Sequence, residues 1–132
     1  MVDKIRVLIV EDDNLVRLGL KLVLNATAEM KIIGEAGSGL AAIEKTRELQ
    51  PDVVLLDIGL PDMNGLEALP EIRQQCSTAR IIVLTSHEDL SIPVMNAGAD
   101  GLCRKNVSND QLILAIRAVL SGEKWFDVPQ LR

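Results

Sequence analysis

Aromatic residues are nearly missing from this 132-residue chain: one Trp, one Phe and no Tyr, 2% in all. A stacking platform for nucleobases is therefore excluded. Only two cysteines occur, Cys76 and Cys103, far apart and without CxxC spacing, and there is a single histidine, His87. A zinc site or redox pair lacks its ligands, so both thiols are expected to be reduced and packed. No apolar run approaches the ~20 residues that span a bilayer. The start, MVDKIRVLIVEDD, turns acidic where a signal peptide stays apolar. The expectation is a cytoplasmic protein with no membrane partner. Positive charge is scarce as well: 14 Lys and Arg against 19 Asp and Glu give a net charge of −5, the wrong sign for holding nucleic acid by its phosphates.

What the chain does have is apolar material, 48% of its residues, enough for the core of one ordinary domain. It is distributed in short runs. Ile5–Val10 is strand-sized, β-branched and closed by acids, and Lys31–Gly34, Val53–Leu56, Ile81–Leu84 and Gly101–Arg104 follow in the same style. Between them the spacing predicts helices from Leu15 to Asn25, over Leu40–Gln50, over Leu66–Gln75 and from Asp89 to Ala97. A last helix opens on the capping box Ser108-Asn109-Asp110-Gln111 and runs to Gly122. Five βα units with doubly buried strands predict a doubly wound α/β domain, a five-stranded parallel sheet with helices on both faces. Residues 1–122 are assigned to this domain and 123–132 to a linker or tail. Within that tail, Trp125-Phe126 reads as a packed cap rather than a contact for another module. Pro70 conflicts with the helix around it, which predicts a late start, a kink, or a place in the first turn.

Doubly wound sheets bind ligands at the carboxyl ends of their strands. The first strand ends in Glu11-Asp12-Asp13, the third in Asp57 and the fourth in Thr85-Ser86, while Lys105 follows the fifth. Glu11, Asp12 and Asp57 against one lysine make a site that either raises a carboxyl pKa or recruits a divalent cation. Mg²⁺ suits it, because this ion takes one or two carboxylates, keeps waters and completes its shell with phosphate oxygens. The chemistry served is phosphoryl transfer with Asp57 as nucleophile. Asp13 and Asn14 read as a helix cap, Asp62 as a turn residue without chemistry, and His87 as a partly exposed residue near a helix start.

The runs VLIVEDD, PDVVLLDIGLPDMNG, IIVLTS and GADGLCRK, in this order, resemble the receiver domain of two-component response regulators over residues 4–122. The resemblance implies a flavodoxin-like (βα)5 fold and phosphorylation of Asp57 by a sensor histidine kinase. It also implies Mg²⁺ held by Asp12, Asp57 and the backbone carbonyl of Gly59, with Glu11 acting through water. Thr85 would be the switch hydroxyl and Lys105 the phosphate-binding ammonium. Two positions depart from the family pattern: Leu102 stands where an aromatic residue is common, and Asn106 where proline is common after the lysine. The latter favours a trans Lys105–Asn106 bond. The segment after Lys105 is similar to receivers of NarL/FixJ-type transcription regulators. This implies a helix-turn-helix output domain absent from this chain, DNA contact only through that domain, and a homodimer on phosphorylation. The alternatives are a stand-alone receiver acting through protein contacts, an Mg²⁺-dependent phosphohydrolase using the same aspartate, and a phosphate-independent interaction module. The hydrolase would need a substrate pocket that no long insertion supplies.

Overall fold

In the computed structural model of the chain, which describes residues 3–86 and 91–126, the strands form one parallel sheet. Strand β1 (Ile5–Val10) lies between β2 (Met30–Ala36) and β3 (Val53–Asp57). From β3 the sheet continues through β4 (Arg80–Thr85) and β5 (Gly101–Arg104) to β6 (Trp125–Phe126). The crossovers are α1 (Asn14–Asn25), α2 (Gly39–Leu49), α3 (Gly65–Gln75), α4 (Ser91–Asn96) and α5 (Asn109–Leu120).

Alternation along the strands divides the core in two. Leu8, Val54, Leu56, Ile81, Val83 and Leu102 face α2, α3 and α4, meeting Ala42, Leu69, Ile72 and Val94. Their neighbours Val7, Ile9, Val53, Leu55, Ile82, Leu84 and Cys103 face the other way, against Leu24 of α1 and Leu112, Ile116 and Val119 of α5. Both faces are buried, as a parallel sheet requires, and this is why the strands read as unbroken apolar runs. The two cysteines are buried.

Helix starts follow the local chemistry. The Asp13 carboxylate accepts the N–H groups of Leu15 and Val16, Ser38 Oγ that of Ala41, Asn64 Oδ1 that of Leu66, and Ser108 Oγ that of Gln111. Helix α2 stops at Gln50, whose φ of 49° is left-handed, and Arg6 of β1 donates to the carbonyls of Leu49 and Gln50 there.

Three features differ from the expectations. The sheet has six strands, because Trp125-Phe126, within the segment assigned to a linker, pairs with Gly101 and Leu102. Each of its half-buried aromatic rings caps a different core layer, Trp125 the α1–α5 side and Phe126 the opposite one. Helix α3 begins at Gly65, so Pro70 sits sixth in it, neither after a late start nor in the first turn. What it removes is the N–H that Leu66 O would otherwise receive. Strand β2 extends to Ala36, two residues beyond the apolar run. No cis peptide occurs among the described residues, so Lys105–Asn106 is trans. His87 and the predicted helix start at Asp89 lie outside the described residues.

Candidate functional site

The strand order reverses between β1 and β3, since β2 lies on one side of β1 and every later strand on the other. Glu11 and Asp12 follow the last residue of β1, and Asp57 is the last residue of β3. The two strands are in register up to Val10 opposite Leu56, so the acids emerge side by side. Ligand oxygens of Glu11, Asp12 and Asp57 all lie within 4.8 Å of one another. From two strands away, Lys105 Nζ comes to 2.9 Å from both Asp57 Oδ1 and Glu11 Oε1. The Lys105 N–H donates to Thr85 O at 2.8 Å, which ties the ends of β4 and β5 together. Thr85, Ser86 and Gly59 complete a cleft of about 220 Å³ around these groups.

Burial differs sharply among the acids. Glu11 is 0% exposed and Asp57 3%, whereas Asp12 is open to solvent. Burial, reinforced by the hydrogen bond with Asp57, pushes Glu11 up to about 7, against the pull of Lys105 and of the Asp13 N–H. Burial would raise Asp57 as well, but hydrogen bonds from Glu11, Lys105 and the Gly59 N–H at 3.2 Å outweigh it and hold this carboxyl below its ordinary range. Lys105 is lowered by burial and raised more by its two acid partners, for a net upward shift. Of the buried pair, Glu11 is thus the carboxyl biased toward keeping a proton and Asp57 the one biased toward ionisation, the form an oxygen nucleophile needs.

The site fits a hard cation. Glu11 Oε1 is wholly buried and accepts no well-directed hydrogen bond, although Lys105 Nζ is close. It sits beside two further carboxyls, an all-oxygen donor set among the described residues.

One further constraint acts on Asp57 from behind. Gly65, the first residue of α3, abuts its carbonyl so closely that a Cβ there would lie 2.4 Å from Asp57 O. Only glycine allows the helix to start against the strand that carries the nucleophile.

The sequence pattern of the family described as the response regulator receiver domain matches residues 7–117. The chain belongs to this family. Similar curated relatives include the response regulator UvrY of Escherichia coli (strain K12), 38% identical over 123 residues, covering 92% of this receiver and 56% of that protein. The nitrate/nitrite response regulator protein NarL of the same strain is 33% identical over 119 residues, covering 89% and 55%. The receiver thus spans about half the length of these relatives. Among solved structures, a two-component response regulator of the LuxR family from Aurantimonas sp. SI85-9A1 superposes with a TM-score of 0.87 at 31% identity, covering 93% of this receiver and 89% of that chain.

Every site residue expected from the sequence lies at this one cleft: Glu11, Asp12, Asp57, Gly59, Thr85 and Lys105. Asp62, expected to have no chemistry, is not idle. Its carboxylate accepts hydrogen bonds from the start of α2, 23 residues earlier in the chain. No local pattern signals that contact, because it depends on two loops being neighbours at the same rim of the sheet.

Proposed function

We propose that this receiver takes a phosphoryl group from a sensor histidine kinase onto Asp57. Mg²⁺ would be held by Asp12, Asp57, the Gly59 carbonyl and, through water, Glu11. The observation that carries this reading is a buried Asp57 carboxyl with two acids and one lysine converging on it in a cleft of about 220 Å³. That volume suits a phosphoryl group with a cation, and is below the ~300–1,000 Å³ of sites that enclose whole small molecules. It therefore favours a phosphoacceptor over a phosphohydrolase with its own substrate pocket.

In the transfer, an Asp57 carboxylate oxygen attacks phosphorus, and an O–P bond forms as the bond from phosphorus to the donor nitrogen breaks. The cation, when bound, neutralises charge on the phosphoryl oxygens. Lys105, already 2.9 Å from Asp57 Oδ1, exchanges this carboxylate for the incoming phosphoryl oxygens. Thr85 offers a hydroxyl at the same rim, and its engagement with the acyl phosphate biases a two-state surface. The output is transcriptional, through a DNA-binding domain outside this chain, with self-association on phosphorylation. The setting is the cytoplasm. Acetyl phosphate with Mg²⁺ is expected to add one phosphoryl group that is labile to heat and mild base, and Asp57→Ala to abolish it. Labelling that persists in that variant removes Asp57 from the mechanism.

A further inference from the structure

The loop between β3 and α3, which carries Gly59, is closed on itself and clamped at its tip. Its base is a turn: Leu60 N–H and Gly65 N–H both donate to Ile58 O, at 3.1 and 2.8 Å, and Gly59 and Asn64 form an antiparallel bridge. At the tip, Asp62 reaches across to α2. Oδ1 accepts the Gly39 N–H at 2.7 Å and Oδ2 the Leu40 N–H at 3.0 Å. The Met63 side chain covers Gly39 so closely that a Cβ there would lie 2.4 Å from Met63 Cγ. Helix α2 already has its own cap in Ser38, which takes the Ala41 N–H. The bonds from Asp62 therefore join two separate elements, and they add a directional polar tie to the apolar packing of Leu60 and Met63 that also holds the loop. Gly59 is itself exposed and, among the described residues, is held by the Asp57 side chain and the Asn64 bridge.

We propose that Asp62 is a positioning residue of the phosphoacceptor site: by pinning the β3–α3 loop to the start of α2, it fixes the Gly59 carbonyl at the place where the cation is held. This rests on the Mg²⁺-dependent reading of the site given above. Both Asp62 bonds are charge-assisted contacts to backbone N–H groups at a helix N-terminus, where the helix dipole adds to them. The two N–H groups hold the Asp62 carboxyl below its ordinary range, so the contact persists across neutral pH.

The test compares Asp62→Ala, Asp62→Asn and Ser38→Ala with the parent by three measurements. These are amide hydrogen exchange of the metal-free protein, the Mg²⁺ dissociation constant by calorimetry with the metal alone, and thermal stability. Asp62→Ala is expected to speed exchange at the Leu60 and Gly65 amides and to weaken Mg²⁺ binding, each by about three- to tenfold. Asp62→Asn, whose amide oxygen still accepts one of the two N–H groups, is expected to recover part of both. Ser38→Ala removes a cap from the same helix without touching the loop, so it is expected to lower stability with the Mg²⁺ affinity of the parent. Parent-like exchange and affinity in Asp62→Ala overturn the proposal. So does an equal loss of affinity in Ser38→Ala, which would trace the effect to α2 stability alone. A parent that fails to bind Mg²⁺ overturns the metal site itself, and the proposal with it, an outcome distinct from a failure confined to Asp62→Ala.

Discussion

Asp100 offers a quantitative check on how the sheet is held at the end opposite the acidic cleft. The residue is buried, and its carboxylate ties together β4, α3 and the segment before β6. Oδ2 accepts the buried Ile81 N–H of β4 at 2.8 Å and Arg73 of α3 at 3.0 Å. Oδ1 accepts Lys124, just before β6, at 3.0 Å. The Asp100 carbonyl receives the Trp125 N–H at 3.1 Å. Asp100→Ala leaves the Ile81 N–H buried without an acceptor, which costs about 1–3 kcal/mol. It also releases three cations that are partly in solvent, Arg73, Lys124 and, at 3.9 Å, Arg80, each pair worth about 0–1 kcal/mol. A loss of about 2–4 kcal/mol is expected by urea unfolding, and about half of that for Asp100→Asn, whose oxygen still accepts from Ile81. The pH dependence has a definite sign. Hydrogen bonds from Ile81, Arg73 and Lys124 overcome burial and hold this carboxyl below its ordinary 3.8. Its stabilisation is thus complete above that value and is lost as pH falls through the lower folded-state pKa. The parent and Asp100→Asn stability curves are expected to run parallel near neutrality and to converge in acid below about pH 4. Asp100→Ala within about 0.5 kcal/mol of the parent, or curves parallel down to acid unfolding, would refute the Asp100 assignment.

Asp12→Asn is expected to weaken Mg²⁺ binding although it relieves repulsion among the acids; calorimetry showing parent affinity would exclude Asp12 as a ligand. Lys105→Ala and Thr85→Ala are expected to keep the fold and to impair switching more than labelling. Charge-assisted bonds to the acyl phosphate are worth roughly 1.5–3 kcal/mol, up to one to two powers of ten in a two-state ratio, less what Lys105 gives up by leaving Asp57. If phosphorylation changes hydrogen exchange equally in the parent and both variants, neither residue couples the site to the surface.

The parts of this fold visible in sequence are those fixed by burial on both faces of a parallel sheet. Val53–Leu56 and Ile81–Leu84 have no polar alternation to confuse them, and the acids, the threonine and the lysine fall at strand ends because the strands themselves are unmistakable. Strand β6 was not visible for the opposite reason. Two residues carry no period, and Trp125-Phe126 becomes a strand only because Asp100 and β5 present an edge to it. The clasp from Asp62 to α2 and the Asp100 cluster were hidden likewise, since both are made between segments about 20 residues or more apart. Pro70 shows that tertiary context can hold a proline inside a helix that propensity alone would shorten.

The distribution of the cleft along the chain has a kinetic side. Glu11, Asp12 and Asp57 come from β1 and β3, which together with β2 form a three-stranded sheet from the first 57 residues. Their counter-charge, Lys105, follows β5, which joins the sheet through β4. If folding follows the order of the chain, the acids are assembled before the residue that neutralises them. An intermediate of this kind would carry an unbalanced negative pocket, and millimolar Mg²⁺ would speed passage through it in the parent and lose that effect in Asp12→Asn. Refolding rates insensitive to Mg²⁺ in both proteins would mean that the acids meet only once β5 has arrived.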